Sequence, residues 1–284
     1  MIYLNGKFIP IEEAVIPVLD RGFIFGDGVY EVIPVYSRLP FRVGGHLERL
    51  QASLDSIRLD NPHTESEWRQ LLASLIERNE PEDQSLYLQI TRGVAKRDHA
   101  FPENTIPTVF IMSNPLLPPT SDQIENGVSA ITAPDNRWSR CDVKSTALLP
   151  NVLLRQLAVD AGCTETLLLR DGLLTEGSAT NAFVIRDGII LTPPKSNLML
   201  PGITYDLVLE LAAANDVAYA VRNIAEAELI SADEIWITSS SKEVLPVTTL
   251  NGNLVGSGHP GPVFKRMHGL YQDYKVQVMR TATA

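Results

Sequence analysis

Four of the asparagine- or aspartate-glycine pairs in this chain of 284 residues limit what it can fold into. Asn5-Gly6, Asp171-Gly172, Asp187-Gly188 and Asn251-Gly252 each sit between short β-rich runs. A two-residue hairpin turn of type I′ needs positive φ at both central positions, which these residue types adopt at little cost. The chain is therefore expected to fold back as antiparallel strand pairs, once at residues 1–11 and three times in its second half.

Helical periodicity fills the intervals. Leu47, Leu50, Leu54 and Ile57 recur at helical spacing across 44–59. Trp68, Leu71, Leu72, Leu75 and Ile76 form a second stripe behind the N-cap candidate Thr64. Residues 29–36, 85–93 and 107–113 read as strands, the last two joined by a polar loop over 94–105. Asp20-Arg21-Gly22 and Gly26-Asp27-Gly28 form a glycine-rich approach to the first of them. These elements make an N-terminal α/β domain over 1–115. Prolines between Asn114 and Ser121 exclude helix and central strand, which sets a linker at 116–122. The C-terminal domain, 123–284, carries helical patterns at 150–161, 203–214 and 263–279 around a largely antiparallel, barrel-like core. The fold class is α/β of the α+β kind.

Hydrophobic residues make up 44% of the chain and the formal net charge is −10. That suits a globular protein with a real core and argues against a nucleic-acid-binding surface. No apolar run reaches membrane-spanning length, and no secretory signal is visible. Cys141 and Cys163 give no disulfide framework, so reduced thiols in a cytoplasmic protein are expected. The five histidines lack metal-ligand spacing, and no metal is expected.

The chain has seven lysines, and Lys144 is the only one between Lys96 and Lys195. It follows Val143 and precedes small and apolar residues. Such surroundings disfavour the ammonium form and free the amine as a nucleophile, as an imine-forming lysine requires. A snorkelling surface lysine fits the same stretch. Glu176 is either a surface acid or a buried carboxylate that keeps a heterocyclic nitrogen protonated. Leu200-Pro201-Gly202 leads into a helix whose first amides, at Ile203 and Thr204, either hold an anion or simply start the helix. Ser239 and Ser240, in a hydroxyl run after an apolar strand, suit a phosphate or an ordinary turn. Arg49 is a phosphate contact or a solvated helix-face arginine. Arg97 and His99, two residues apart in the polar loop, can face one side of an extended segment. With Tyr30 they make a donor trio for a small carboxylate; a merely solvated loop is the alternative.

The order of these residues carries more than any one of them. Together with Tyr3-Leu-Asn-Gly6, His46-Leu-Glu-Arg49, Thr175-Glu-Gly-Ser178-Ala-Thr-Asn181 and Ser239-Ser-Ser-Lys-Glu-Val-Leu-Pro246, it resembles the fold-type IV pyridoxal-phosphate enzymes. This is the branched-chain and D-amino-acid aminotransferase superfamily. The resemblance implies a small N-terminal α/β domain, a larger C-terminal pseudo-barrel domain, pyridoxal 5′-phosphate between them, and a homodimer. It makes Lys144 the imine-forming catalytic lysine and Glu176 the partner of the pyridine nitrogen. Arg49, Ile203, Thr204, Ser239 and Ser240 become the phosphate cup.

Tyr30, Arg97 and His99 look most like the carboxylate trap of D-amino-acid aminotransferases, where the arginine and histidine come from the neighbouring subunit. The expected reaction is amino transfer between a D-amino acid of the D-alanine or D-glutamate class and a 2-oxo acid. Branched-chain L-amino-acid aminotransferases, (R)-amine aminotransferases and 4-amino-4-deoxychorismate lyase are alternatives within the superfamily. A non-catalytic cofactor-binding or scaffold protein is the alternative outside it. Leu149 stands where branched-chain enzymes usually carry a tyrosine. The chain departs from the D-specific pattern at Asp98, an acid between the trap residues, and at Ala147, where a polar residue is common.

Overall fold

The first of two units in the computed structural model, which describes residues 1–281, is built on a six-stranded sheet. Its elements are β1 (Ile2–Leu4), β2 (Lys7–Ile9), α1 (Arg21–Phe25), β3 (Gly28–Tyr36), β4 (Leu39–Pro40), α2 (Val43–Ser56), α3 (Glu65–Glu77), β5 (Gln84–Thr91) and β6 (Thr108–Pro115). The strand order is β2-β1-β6-β5-β3-β4, and every neighbouring pair is antiparallel. Strand alternation sends Val29, Glu31 and Ile33 of β3 to one face. On that face Val29, Ile33, Leu86, Leu88 and Ile90 pack with Leu47, Leu50 and Leu54 of α2 and with Trp68, Leu72 and Leu75 of α3. The second helix starts where its sequence places it, because Thr64 and Glu67 form a reciprocal capping box. The unit also takes in Val143–Leu148 and, among the described residues, 278–281.

The second unit comprises Leu117–Asp142 and Leu149–Gln277. Its elements are α4 (Ser121–Asn126), β7 (Val128–Pro134), α5 (Leu149–Asp160), β8 (Glu165–Arg170), β9 (Leu173–Gly177), β10 (Asn181–Arg186), β11 (Ile189–Thr192), α6 (Ile203–Ala214), β12 (Tyr219–Val221), α7 (Glu226–Ile230), β13 (Glu234–Ser239), β14 (Glu243–Leu250), β15 (Asn253–Leu254) and α8 (Pro262–Tyr274). Strands run in the order β12-β11-β10-β13-β14-β7-β8-β9, with β15 beside β14. The pairs β11·β12, β14·β7 and β7·β8 are parallel and the others antiparallel, so the sheet is mixed but largely antiparallel.

Its curvature follows from connectivity. Five strand spacings separate β10 from β9 in that order, which would be about 24 Å in a flat sheet. The four Cα steps from Gly177 to Asn181 reach at most about 14 Å. The sheet therefore curls until β9 returns toward β10, giving the barrel-like core expected from the sequence.

The four Asx-glycine pairs between β-rich runs all close hairpins, with φ of 46° and 91° at Asn5-Gly6, 52° and 75° at Asp171-Gly172, 51° and 76° at Asp187-Gly188, and 51° and 77° at Asn251-Gly252. The helix expected over 203–214 spans Ile203–Ala214, and that over 150–161 spans Leu149–Asp160. The helix expected over 263–279 changes character: α8 stops at Tyr274 and a π-helical turn, Lys275–Met279, continues it. Short α1, α4 and α7 are not legible as helices in the sequence, being too brief to show a period.

Candidate active site

In the first unit, Lys144 lies on a short segment held against β3. Tyr30 N–H donates to Lys144 O at 2.9 Å, Lys144 N–H donates to Ser53 Oγ at 3.2 Å, and Val29 bridges to Ser145. Val143 is buried in the core, which fixes the backbone of the lysine that follows. Lys144 is half-buried, and its Nζ stands 4.3 Å from the centroid of the Tyr30 ring. Tyr30 in turn stacks on Tyr87, with centroids 5.5 Å apart.

One stripe of α2, His46, Arg49 and Ser53, faces this segment and β3. Glu31 is fully buried and receives Arg49 Nε at 2.7 Å and Arg49 Nη2 at 2.8 Å, with His46 Nδ1 2.8 Å away. Burial alone would raise the Glu31 carboxyl, but the Arg49 guanidinium and His46 hold it well below the usual carboxylate range. Burial pushes the His46 imidazole down from its ordinary value, against the opposing pull of Glu31. His46 Nε2 is buried and has no hydrogen-bond partner among the described residues.

Arg97 and His99 are exposed in this chain, and each meets the same aromatic ring. The Arg97 guanidinium lies 5.3 Å from the centroid of Phe25, and the His99 imidazole 5.5 Å from it. Asp98 does not compete with them, because its carboxylate accepts from Ala100 N–H at 3.0 Å. The departure at Asp98 is thus absorbed inside the loop.

In the second unit, Glu176 at the end of β9 is buried. Its Oε1 accepts from Arg137 Nη1 at 2.6 Å, and its Oε2 from Leu200 N–H at 3.0 Å and Asn181 Nδ2 at 3.2 Å. Burial pushes the Glu176 carboxyl up to about 7, with Arg137 only partly offsetting it. The reason lies one residue further out. Arg137 also donates to Asp135 through Nε at 2.9 Å and Nη2 at 3.0 Å, so two carboxylates share its charge. Cys141 is buried, with its thiol pushed up to about 11 by burial and donating to Trp138 O. It is a packed thiol.

Asn181 ties together the remaining residues of interest. Its backbone pairs with Thr238 across β10 and β13, and its Nδ2 also donates to Leu200 O at 2.9 Å. Its Oδ1 would stand 2.0 Å from a Cβ on Gly202, so any side chain at the N-cap of α6 would have to displace the Asn181 amide. Gly202 supplies no side-chain cap to the first turn, where Thr204 is buried and Ile203 half-buried. Ser239 and Ser240 are half-buried just past Thr238, whose Oγ1 is buried with no hydrogen-bond partner among the described residues.

Sequence reasoning missed Glu31, His46, Asp135, Arg137 and Asn181 as members of these clusters. Glu31 carried a signal, since it falls in phase with Val29 and Ile33 on a strand whose other members at that phase are apolar. His46 stands one turn from Arg49 on α2. Asp135 and Arg137 follow β7 in an irregular stretch where no period applies.

The two units and their order along the chain are those of solved aminotransferase structures. A T.th. branched-chain amino acid aminotransferase with pyridoxamine 5′-phosphate is similar with a TM-score of 0.90 at 27% identity, over 100% of this chain and 94% of that one. The branched-chain enzyme of Escherichia coli gives a TM-score of 0.86 at 26% identity, over 94% and 91%. The fold is therefore that of a two-unit aminotransferase. The amino-transferase class IV family matches residues 28–250, and the chain belongs to it. It is 42% identical over 272 residues to a D-alanine aminotransferase of Bacillus licheniformis, covering 96% of each chain. A D-alanine aminotransferase of Staphylococcus aureus is 37% identical over 273 residues, covering 96% of this chain and 97% of the relative.

Proposed function

We propose that this chain is a pyridoxal-phosphate-dependent D-amino-acid aminotransferase, moving the amino group of a D-alanine- or D-glutamate-class donor to a 2-oxo acid. The pairing of Arg97 and His99 on Phe25, with Asp98 turned into its own loop, is the observation that carries the assignment of substrate. Identity points the same way, at 42% to a D-alanine aminotransferase against 27% to a branched-chain one. Leu149 is exposed on the first turn of α5, where a branched-chain enzyme would have its tyrosine.

The donor set fits the cofactor chemically. An amine, a buried carboxylate near neutrality, a glycine-started helix and adjacent hydroxyls match an aldehyde, a ring nitrogen and a phosphate. Two buried polar atoms lack a partner among the described residues at matching places in the chain: His46 Nε2, one turn before Arg49, and Thr238 Oγ1, just before Ser239. When bound, pyridoxal phosphate supplies an aldehyde that condenses with amines and a ring that delocalises the charge left when a Cα proton departs.

The chain's residues do the rest. Lys144 would hold the cofactor through its Nζ, and its free amine is the base and acid placed to move the Cα proton. Glu176 holds a proton at the ring nitrogen. Ile203, Thr204, Ser239, Ser240 and Arg49 hold the phosphate, the first two through their amides. Tyr30, Arg97 and His99 grip the substrate carboxylate, and this grip sets which enantiomer presents its proton to Lys144.

The active assembly is a homodimer in which Arg97 and His99 serve the neighbouring subunit. Their exposure supports this, as do the exposed Val152, Leu153 and Leu157 on α5 beside its buried Leu154 and Ala158. A cytoplasmic location agrees with two free cysteines. Among the described residues no helix is long and apolar enough to cross a membrane.

Borohydride reduction followed by peptide mapping tests the lysine, and label away from Lys144 would remove it from the mechanism. Half-reactions then test the substrate. D-alanine should convert the bound cofactor far faster than L-leucine does, and Arg97→Ala should raise the D-alanine KM at least about tenfold. Equal rates with L-leucine would end the D-specific reading.

A further inference from the structure

The stretch from Asp20 to Gly28 reads in sequence only as a glycine-rich approach to β3. In the structure it is a rigid mount. Asp20 is fully buried and caps α1, accepting from Gly22 N–H at 2.8 Å, Thr91 Oγ1 at 2.8 Å and Thr108 Oγ1 at 2.6 Å. A Cβ on Gly22 would stand 2.2 Å from Thr91 Cγ2, so the helix can sit this close only with glycine there. Gly26 ends the helix in the left-handed region at φ 67°.

This one-turn helix presents Arg21 and Phe25, four residues apart, to the 97–101 loop. Arg21 Nη1 donates to Asp98 O at 2.6 Å and Ala100 O at 3.4 Å, while its Nε donates to Asp27 Oδ2 at 2.7 Å. Asp27 also takes Arg92 at 2.8 and 3.0 Å, and Arg92 lies 3.9 Å from the centroid of Phe101, with Arg58 at 4.9 Å. The loop backbone is thus pinned at 98 and 100 and its end anchored by Phe101. Between these pins the ring of Phe25 touches both exposed side chains, Arg97 and His99.

We propose that Phe25 is the positioning residue that presents Arg97 and His99 as one carboxylate-binding pair; this rests on the reading of those two residues as the substrate's carboxylate trap. A guanidinium and an imidazole on an exposed loop otherwise sample many rotamers, and one aromatic ring in contact with each restrains both by cation–π and ring contacts. Phe25 acts through the two residues it holds.

The test uses the holoenzyme. Phe25→Leu keeps an apolar side chain without the π face, and Phe25→Tyr keeps the face. The leucine variant should raise the D-alanine KM about tenfold with kcat within about twofold, and the tyrosine variant should stay near wild type in both. Affinity for pyridoxal phosphate should not change in either. Proton NMR of His99, assigned with His99→Gln, gives a readout independent of turnover: its ring-current shift should vanish in F25L and persist in F25Y. Phe25→Met supplies the same contrast if the leucine variant does not fold. An unmoved KM in F25L beside a raised KM in R97A overturns the proposal and leaves the trap reading standing. An unmoved KM in both overturns both. Loss of kcat or thermal stability with KM unmoved gives Phe25 a structural role only and also overturns it.

Discussion

Glu31 in the first unit and Glu176 in the second are both buried, and each accepts from an arginine at 2.6–2.7 Å, yet they are driven in opposite directions. Glu31 is held far below the usual carboxylate range, whereas Glu176 is pushed up to about 7. The contact distance does not decide this. Arg49 spends two nitrogens on Glu31 and His46 adds a third contact, while Arg137 divides itself between Glu176 and Asp135. A buried carboxylate stays ionised when a guanidinium meets it through two nitrogens and an imidazole adds a third contact, and approaches neutrality when it receives one nitrogen of a guanidinium whose other nitrogens serve a second acid. The first arrangement suits a fixed strut, and the second an acid that must hold a proton near a ring nitrogen.

The largest test breaks the strut. Glu31→Gln leaves the Arg49 guanidinium without its buried counter-charge, and removing one partner of such a pair should cost about 3–5 kcal/mol of unfolding free energy. Chemical denaturation of the cofactor-free protein measures it. A cost below that of an exposed ion pair would show that Glu31 is not what neutralises this face of α2.

The next test concerns sharing. In the cofactor-free protein the folded Glu176 carboxyl titrates at about 7, above its ordinary value of 4.5. The native state therefore binds the extra proton. Its contribution to stability is full below the unfolded value and is lost as pH rises through about 7. Glu31, with a depressed value, works the other way: its contribution is present above the unfolded value and is lost as pH falls. Thermal melts between pH 5 and 8 should show a downward slope with rising pH that Glu176→Gln flattens. Asp135→Asn should give Arg137 wholly to Glu176 and move that slope to lower pH. It should also cost about 2–3 kcal/mol, since Arg137 and Thr175 lose an acceptor. A slope left in place by Asp135→Asn would refute sharing as its cause.

These clusters also mark the limit of what the residues alone disclose. The hairpins are legible because positive φ restricts residue choice at two adjacent positions, and the long helices because three or more turns reveal a stripe. Lys144 and Glu176 stand out through their order along the chain, which the resemblance supplied. Arg137 is not legible, because its role depends on a two-residue hook onto Asp135 and on a partner 39 residues away. Nor is α1, whose meaning comes from Thr91, Thr108 and the 97–101 loop, each some 70 or more residues from the cap. Local pattern reports local structure, and long-range charge pairing leaves no period.

A smaller effect is expected at Gly202. Its φ of −74° is ordinary, so alanine there is not strained; the obstacle is Asn181 Oδ1, 2.0 Å from where the Cβ would stand. Gly202→Ala should push Asn181 off Glu176 and Leu200 O at a cost of about 1–2 kcal/mol, with weaker binding of pyridoxal phosphate at equilibrium dialysis. Unchanged binding would separate the α6 N-terminus from the phosphate.

The smallest effect sharpens the comparison most cheaply. Arg69 and Glu65 on α3 meet at 2.7 Å, the same distance as Arg49 and Glu31, but their side chains are 46% and 64% exposed rather than 9% and 0%. Water already solvates both exposed partners, and ordering two long side chains offsets most of what their attraction gives. Arg69→Ala should therefore cost no more than a few tenths of a kcal/mol, and less in high salt. If it cost as much as Glu31→Gln under the same denaturant, nitrogen-oxygen distance would govern these pairs and burial would not. The contrast drawn between Glu31 and Glu176 would then lose its physical basis, because both glutamates meet their arginines at nearly one distance.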